Sequence, residues 1–190
     1  MVALPTSFQP LLVLRWILTG TLAAHGINIM SAQIHTRADG IAIDTFQVND
    51  PVAESITASR HWARTVDSLR AVLTGEQSVD TLLTQRTLSG RGARGGAEPL
   101  VPPKIGIDNR LSDVATVVEV KCPDRLGLLH LITRTFSARE LDIVSARIAT
   151  EIDQALDTFY VQARGGEKVQ KPDDIDALRD ALEQALVKPL

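Results

Sequence analysis

The chain has 190 residues, of which 44% are hydrophobic and 23% are charged, a composition typical of a globular protein. Its net charge of −3 argues against nucleic acid or an anionic membrane as the main partner. Cys122 is the only cysteine, so an intrachain disulfide is excluded and a reducing, cytoplasmic location is expected. The apolar run 11–24 is short and interrupted by Arg15, which favours a buried helix over a signal peptide or a membrane span.

Residues 11–49 predict a helix followed by a hairpin. Three leucines recur one turn apart between residues 11 and 25, and Gly26 is placed to end that helix. Two β-rich runs then follow, 27–37 and 41–49, with an Asp-Gly pair between them. An Asp-Gly pair between two such runs is typical of a β-hairpin.

A second helix and a linker follow the hairpin. Ser55 or Thr57 is expected to cap this helix, whose apolar positions recur at helical spacing, and a short helical continuation is expected over 79–85. Residues 87–103 are rich in Gly, Arg and Pro without periodicity, which indicates a linker. The Gly-x-Gly-x-x-Gly letters over 90–95 lack the flanking strand and helix that a dinucleotide site requires.

The rest of the chain predicts a more complete unit. Its expected elements, in order, are a strand over 114–121, a helix over 128–139, a hairpin of 141–150 with 155–164, and a helix that begins at Pro172. Residues 105–108 are expected to form a brief strand that completes the first sheet. An order of strand, helix, strand, strand and helix, with a last strand contributed elsewhere, predicts an α+β fold of the ferredoxin-like type.

Residues 27–48 and 141–161 repeat one another. The shared positions include Ile29 and Ile143, the two Ser-Ala pairs, and the two Asp-Thr-Phe triplets that begin at Asp44 and Asp157. The spacing of about 114 residues is too long for a solenoid, so the repeat indicates one small unit used twice. The expected division is a first unit over 1–86, a linker over 87–104 and a second unit over 105–190. A duplicated unit without a nucleophile or a metal cluster is more typical of a sensor than of a catalyst.

The most specific local pattern is the hexapeptide from Asp124 to Leu129, between a strand and a helix. Asp124 is expected to cap the helix, and Gly127 lets the backbone approach a neighbour closely. The amides of Leu128 and Leu129 then point outward, and such a helix N-terminus binds carboxylates. With Asp124 available to an ammonium, the pattern indicates a pocket for a zwitterionic α-amino acid. The alternative is that Asp124 only caps and Gly127 only turns the chain.

Several further polar residues have simpler interpretations. Asp44 and Asp157 open the returning strands, where bonding the hairpin backbone is favoured over catalysis. The histidines lack metal-ligand spacing, and His130 is expected at a helix surface. Cys122 precedes a helix N-terminus that would lower its pKa, but a small strand-end residue is the simpler interpretation. Arg125 is expected either to contact a ligand carboxylate or a partner subunit, or to be solvated. No cofactor is indicated.

The pattern as a whole resembles a known family. D-R-x-G-L-L at 124–129, L-D-I-x-S-A-x-I-x-T at 141–150 and L-D-x-F-Y-V at 156–161 are similar to the ACT domain, a regulatory amino-acid-binding module. The paired units, with D-T-F in both and I-G-I-D-N before the second, resemble the C-terminal tandem ACT region of the protein-PII uridylyltransferase/uridylyl-removing enzyme family.

The resemblance implies two βαββαβ units that sense glutamine in nitrogen regulation. It also implies partners, namely other ACT units or a catalytic polypeptide. The implied ligand site consists of the N-terminal end of a helix, called its mouth below, and the start of a strand from a neighbouring unit. That strand is the second of its unit and begins at either 27–29 or 141–143. The residues expected to bind ligand are Asp124, Arg125, Gly127, Leu128, Leu129, Leu141, Asp142 and Ile143.

Two departures from the family pattern are visible. Pro10-Leu11-Leu12-Val13 stand where the family's first unit has a D-R-x-G loop, so the first unit is expected to lack its opening strand and its own ligand loop. A truncated or frame-shifted start would produce this. The catalytic motifs of the family's nucleotidyltransferase and phosphohydrolase domains are also missing, so this chain alone is expected not to be an enzyme. The alternative function is a ligand-free interaction module.

Overall fold

The computed structural model describes residues 10–36, 42–49, 60–89, 101–151 and 154–187. The helices in these ranges are α1 (Pro10–His25), α2 (Arg60–Leu73), α3 (Val79–Leu88), α4 (Leu128–Ala138) and α5 (Pro172–Val187). The strands are β1 (Asn28–Thr36), β2 (Ala42–Asn49), β3 (Lys104–Asp108), β4 (Thr116–Pro123), β5 (Asp142–Arg147), β6 (Thr150–Glu151) and β7 (Gln154–Gln162). The predicted helices and hairpins are confirmed. The candidate caps of α2 and the Asp-Gly turn lie outside the described residues.

The strands form one antiparallel sheet in the order β2-β1-β5-β7-β4-β3, with β6 added to β7. The α+β class is confirmed, and β4, α4, β5, β7 and α5 have the ferredoxin-like arrangement. The placement of residues 105–108 in the first sheet is wrong, because β3 pairs with β4, with Ile105 opposite Val120. Only residues 109–115 separate these two strands, so their pairing costs little loop-closure entropy and covers an otherwise open edge.

The two units are related by pseudo-twofold symmetry. Ala32 faces Ala146 where β1 meets β5. In the helices above, Oγ1 of Thr19 lies 3.1 Å from Oγ1 of Thr133, a residue 114 positions later in the chain. This separation equals the spacing of the sequence repeat. Contacts between equivalent residues arise where a twofold axis passes between two copies. The repeat therefore corresponds to two units side by side in one sheet.

Backbone irregularities also recur at equivalent positions. The pairing register of β1 shifts between Ile29 and Ser31, and that of β5 shifts at the corresponding place. The turn after α1 contains Gly26 with φ 75°, and the turn after α4 contains Glu140 with φ 55°. Glu140 thus adopts the left-handed conformation that a glycine adopts freely. The repeat therefore extends to the backbone conformation.

Two clusters of buried side chains hold the helices. One lies between the sheet of the second unit and α4 and α5, where the rings of Phe136 and Phe159 meet edge to face at 5.2 Å. The other joins α1, α2 and α3 through aliphatic residues such as Ile17 and Val79. Leu126, in the loop before α4, packs against this first-unit cluster. That loop is therefore positioned by both units. None of the helices that the structure describes is long and apolar enough to cross a membrane.

Candidate functional site

The mouth of α4 lies where the sequence placed it, but its cap differs. The N-cap residue is Gly127, with φ 73° and ψ 8°, and no side chain caps the helix. The prediction that Asp124 caps α4 is wrong. The left-handed backbone of Gly127 turns the chain into the helix, and Asp124 lies three residues before that turn, where its carboxylate is exposed.

The amides of the first turn are partly satisfied. Leu128 donates its backbone N–H to the carbonyl of Arg125 at 3.2 Å, so the expectation that this amide points outward is also wrong. The amides of Leu129 and His130 lie in the first turn, which the helix's own carbonyls do not reach. These two amides can therefore donate hydrogen bonds to an anion at the mouth of α4.

Arg125 fixes the loop to α5. Its Nη2 donates to the carbonyl of Leu186 at 2.9 Å, close to the C-terminal end of that helix. A cation at this end satisfies free carbonyls and opposes the helix dipole. Burial lowers the pKa of the guanidinium. Arg125 is thus partly buried and bonded to α5 in this conformation, and its predicted contact with a ligand stays a prediction.

His130 joins α4 to α1, and the prediction that it lies at a helix surface is wrong. Its side chain is fully buried, and Nδ1 donates to the carbonyl of Trp16 at 2.8 Å. Burial lowers the pKa of the imidazole, which favours the neutral ring. Gly20 of α1 permits this close approach, because a Cβ there would meet Cγ1 of Val79 in α3 and would lie 2.6 Å from Nδ1 of His130.

Asp157 lies on the core face of β7 and is 3% exposed. Its Oδ1 accepts the backbone N–H of Ala149 at 3.3 Å, which confirms the predicted role in bonding the hairpin backbone. Burial, and then the negative charge of Asp124, raise the pKa of Asp157 to about 7. Cys122 is also buried, and its pKa is raised to about 11, so the simpler interpretation as a small strand-end residue holds.

The predicted ligand residues fall into two groups at opposite ends of α4. Asp124, Gly127 and Leu129 lie at the N-terminal end. Leu141 lies at the other end, because its backbone N–H donates to the carbonyl of Phe136 at 2.9 Å. The 11 residues of α4 separate the two groups by about 16 Å. Leu141, Asp142 and Ile143 therefore do not face the helix mouth of their own unit.

Arg15 is the functional candidate that sequence reasoning missed. It is 2% exposed, its Nη1 contacts the carboxylate of Asp142, and its Nε lies 3.5 Å from Oδ2 of Asp44. It therefore connects β2 of the first unit to β5 of the second. Desolvation lowers the pKa of Arg15 and the charge of Asp44 opposes this effect. The sequence feature that could have identified Arg15 is an arginine inside an otherwise apolar run that is predicted to be helical.

A cavity of about 10 Å³ lies near the pseudo-twofold axis. Its lining includes Arg15 and Thr19 of α1 and the equivalent Leu129 and Thr133 of α4. This volume is about that of one water molecule, so the cavity does not hold an amino acid. Among the residues that the structure describes, no group of three or more His, Cys, Asp and Glu side chains is suited to a metal ion.

Comparisons with known proteins identify what the chain resembles. The family model for the ACR9-like, ACT-like domain matches residues 104–190. A bifunctional uridylyltransferase/uridylyl-removing enzyme from Rhodospirillum rubrum is 33% identical over 90% of this chain and 18% of that protein. The enzymes of the same name from Gluconobacter oxydans and Bradyrhizobium diazoefficiens are 36% and 35% identical, each over 87% of this chain and 17% of their own length.

The chain thus spans less than a fifth of the length of these curated relatives. No solved structure matches it. The antiparallel sheet, the repeated units and these similarities agree with one another. The chain resembles the tandem ACT-domain region of the bifunctional uridylyltransferase/uridylyl-removing enzymes.

Proposed function

We propose that the chain is a regulatory module that binds an amino acid, with glutamine as the first candidate, where its two ACT-like units meet. The observation that carries the proposal is the mouth of α4, where the helix's own carbonyls do not reach the first-turn amides of Leu129 and His130. Asp124 stands three residues before the N-cap Gly127, and its negative charge acts on Asp157. The ACT-like match over residues 104–190 supports a regulatory role. Glutamine comes from the family resemblance.

The chemistry suits a zwitterion. The α-carboxylate of an amino acid would accept hydrogen bonds from the first-turn amides, and its ammonium would face an acidic side chain. Leu126 packs onto the first unit, so a ligand at this mouth would touch both units. A ligand that prefers one arrangement of the two units shifts the equilibrium toward it by its differential affinity. The ligand-contacting residues at the mouth are Asp124, Gly127 and Leu129.

The module is proposed to act on a catalytic polypeptide rather than to catalyse a reaction itself. The chain corresponds to 17–18% of relatives whose names describe two enzymatic activities. Regulation of such activities would pass through contacts between these units and the catalytic part.

Titration calorimetry of the 190-residue chain against individual amino acids tests this proposal. Glutamine is expected to bind with a Kd below about 1 mM, which corresponds to about −4 kcal/mol. The variant Gly127→Ala strains the turn into α4 and is expected to weaken binding by at least about tenfold. Gly166→Ala is the matched control, because Gly166 also has a positive φ, of 86°, and a Cβ there meets nothing within 4 Å. Failure of every amino acid to bind at 10 mM, roughly the weakest useful affinity, would refute the proposal.

A second candidate is a ligand-free interaction module. The outer edge of β2 favours it, because β2 pairs only with β1 within the described ranges. Such an edge can accept another strand. Light scattering over a concentration series distinguishes the two functions: this candidate requires an assembly that forms without any amino acid and is unaffected by Gly127→Ala.

A further inference from the structure

We propose that the outer edge of β2 binds an extended strand from outside these 190 residues. The incoming strand would run antiparallel to β2, as β4 runs beside β7, and would place alternate apolar side chains on the sheet face that the helices cover. The inference does not depend on amino-acid binding. It names the occupant of the edge on which the second candidate function relies.

The two hairpins correspond to each other residue by residue. Ala32 of β1 lies opposite Phe46 of β2, just as Ala146 of β5 lies opposite Phe159 of β7. The pairs on either side of these correspond in the same way, and so do the register shifts of the two hairpins. The strand β2 is therefore the first unit's equivalent of β7.

The two equivalent strands differ in their neighbours. β7 pairs with β5 on one side and with the whole of β4 on the other, where Val118 lies opposite Phe159 and Val120 opposite Asp157. Both valines are buried in the core. Within the described ranges, β2 pairs with β1 alone. The pseudo-twofold symmetry thus identifies the free position beside β2 as the place of a strand like β4.

The exposure of β2 shows that the sheet of the first unit is incompletely covered there. Residues 157–162 of β7 alternate between buried and half-buried, whereas the equivalent residues 44–49 of β2 alternate between half-buried and exposed. Phe159 is fully buried, but Phe46 is only half-buried although it packs against the same core cluster. An added strand would bury this apolar surface and would pair with the backbone amides and carbonyls of the edge.

The composition of β2 also favours the addition of a strand. Sheet edges that avoid association commonly have lysine, proline or an unpaired charge in the edge strand. The strand β2 has eight residues without lysine or proline, and its exposed side chains Thr45, Gln47 and Asn49 are uncharged. Its single charged residue, Asp44, lies beside Arg15 of α1. No feature of this strand therefore resembles a protected edge.

A peptide with the sequence of β4 is the probe. The labelled peptide covers residues 114–123 and has Cys122→Ser to prevent disulfide formation. Fluorescence anisotropy with the full chain is expected to show saturable binding with a Kd below about 1 mM. In the peptide, Val118→Asp would place a charge opposite Phe46, beneath the helices, and is expected to weaken binding by at least about tenfold.

A charge exchange tests the register. Glu119 of β4 lies opposite Thr158 of β7, so the glutamate of the peptide is expected opposite Thr45. Thr45→Lys is expected to tighten binding by about twofold to fivefold, and to weaken binding of the peptide variant Glu119→Lys by a similar factor. Gln33→Lys is the matched control, because Gln33 is exposed and pairs with Thr45 but lies one strand further from the edge. It is expected to change neither affinity.

Each other result would overturn the proposal. Absence of saturable binding would do so, and so would an equal response to Thr45→Lys and Gln33→Lys, because the peptide would then bind elsewhere on the chain. If light scattering shows a dimer whose formation excludes the peptide, the edge accepts a second copy and the proposed occupant is wrong. These results are independent of glutamine binding, which the calorimetry described above decides.

Discussion

Replacing Asp157 by asparagine removes a carboxyl group whose ionisation opposes folding. The folded pKa is about 7 against an ordinary value of 3.8. The folded state therefore binds the proton more tightly than the unfolded state does. The stabilisation of the protonated form is complete below the ordinary pKa and is lost as the pH rises through the folded pKa. A shift of about three pKa units corresponds to about 4 kcal/mol over the whole window.

Between pH 5 and pH 8, about two of these units are traversed, so the free energy of unfolding attributable to Asp157 falls by about 3 kcal/mol. The expected result is that the difference in unfolding free energy between Asp157→Asn and the wild type changes by about this amount, in favour of the variant at pH 8. Subtracting the unfolding free energy of the wild type from that of the variant at each pH removes the contribution of the buried histidines, because both proteins have them. Asp113→Asn, at an exposed loop position, is the control.

Urea unfolding followed by circular dichroism at both pH values measures the effect, with equal m-values as the check that the unfolded states are comparable. If Asp157→Asn and the wild type differ by the same free energy at pH 5 and pH 8, the carboxyl group does not have a raised pKa.

Two further substitutions test the contacts between the units by denaturant unfolding. Arg15→Met leaves the carboxylates of Asp44 and Asp142 without their cation and is expected to destabilise the chain by about 3–5 kcal/mol. Arg179→Met removes a partly exposed ion pair within α5 and is expected to change the unfolding free energy by less than about 1 kcal/mol. An equal effect of both would contradict the bridging role of Arg15. Gly20→Ala places a Cβ against Cγ1 of Val79 in α3 and 2.6 Å from Nδ1 of His130 in α4, and it is expected to cost about 1–3 kcal/mol. Gly106→Ala, where the nearest atom is at 3.4 Å, is expected to cost less, and the reverse order would contradict the close helix approach.

The sequence predicted most of the secondary structure because its signals are local. Helical spacing of leucines predicted α1, Pro172 marked the start of α5, and the β-rich runs around an Asp-Gly pair predicted the first hairpin. The partner of β3 was not predictable in this way. A strand of five residues has no local sequence signal that identifies its pairing partner. Its pairing with β4 depends on the short loop between the two strands. The predicted boundaries of the two units stay a prediction.

Of the candidate site, only the loop before α4 was predictable from the sequence. The hexapeptide that begins at Asp124 located the mouth of α4, but the cap depends on the left-handed backbone of Gly127. The ion pair of Arg15 with Asp142 joins residues 127 positions apart, and no local pattern encodes such a contact. The burial of His130 likewise arises from the packing of α1 on α4. Asp157 was assigned its hairpin bond correctly, because the position of an acid at the start of a returning strand is a local signal.

The contacts of Arg15 give a physical reason why the two units stay together without a ligand. The guanidinium belongs to the same chain as Asp44 and Asp142, so its association with them carries no translational entropy cost. Arg15 lies on α1, Asp44 on β2 and Asp142 on β5, so its two ion pairs connect both units through one side chain. On the proposed function, an amino acid at the mouth of α4 would therefore act on units that are already in contact, and it would shift their arrangement rather than assemble them.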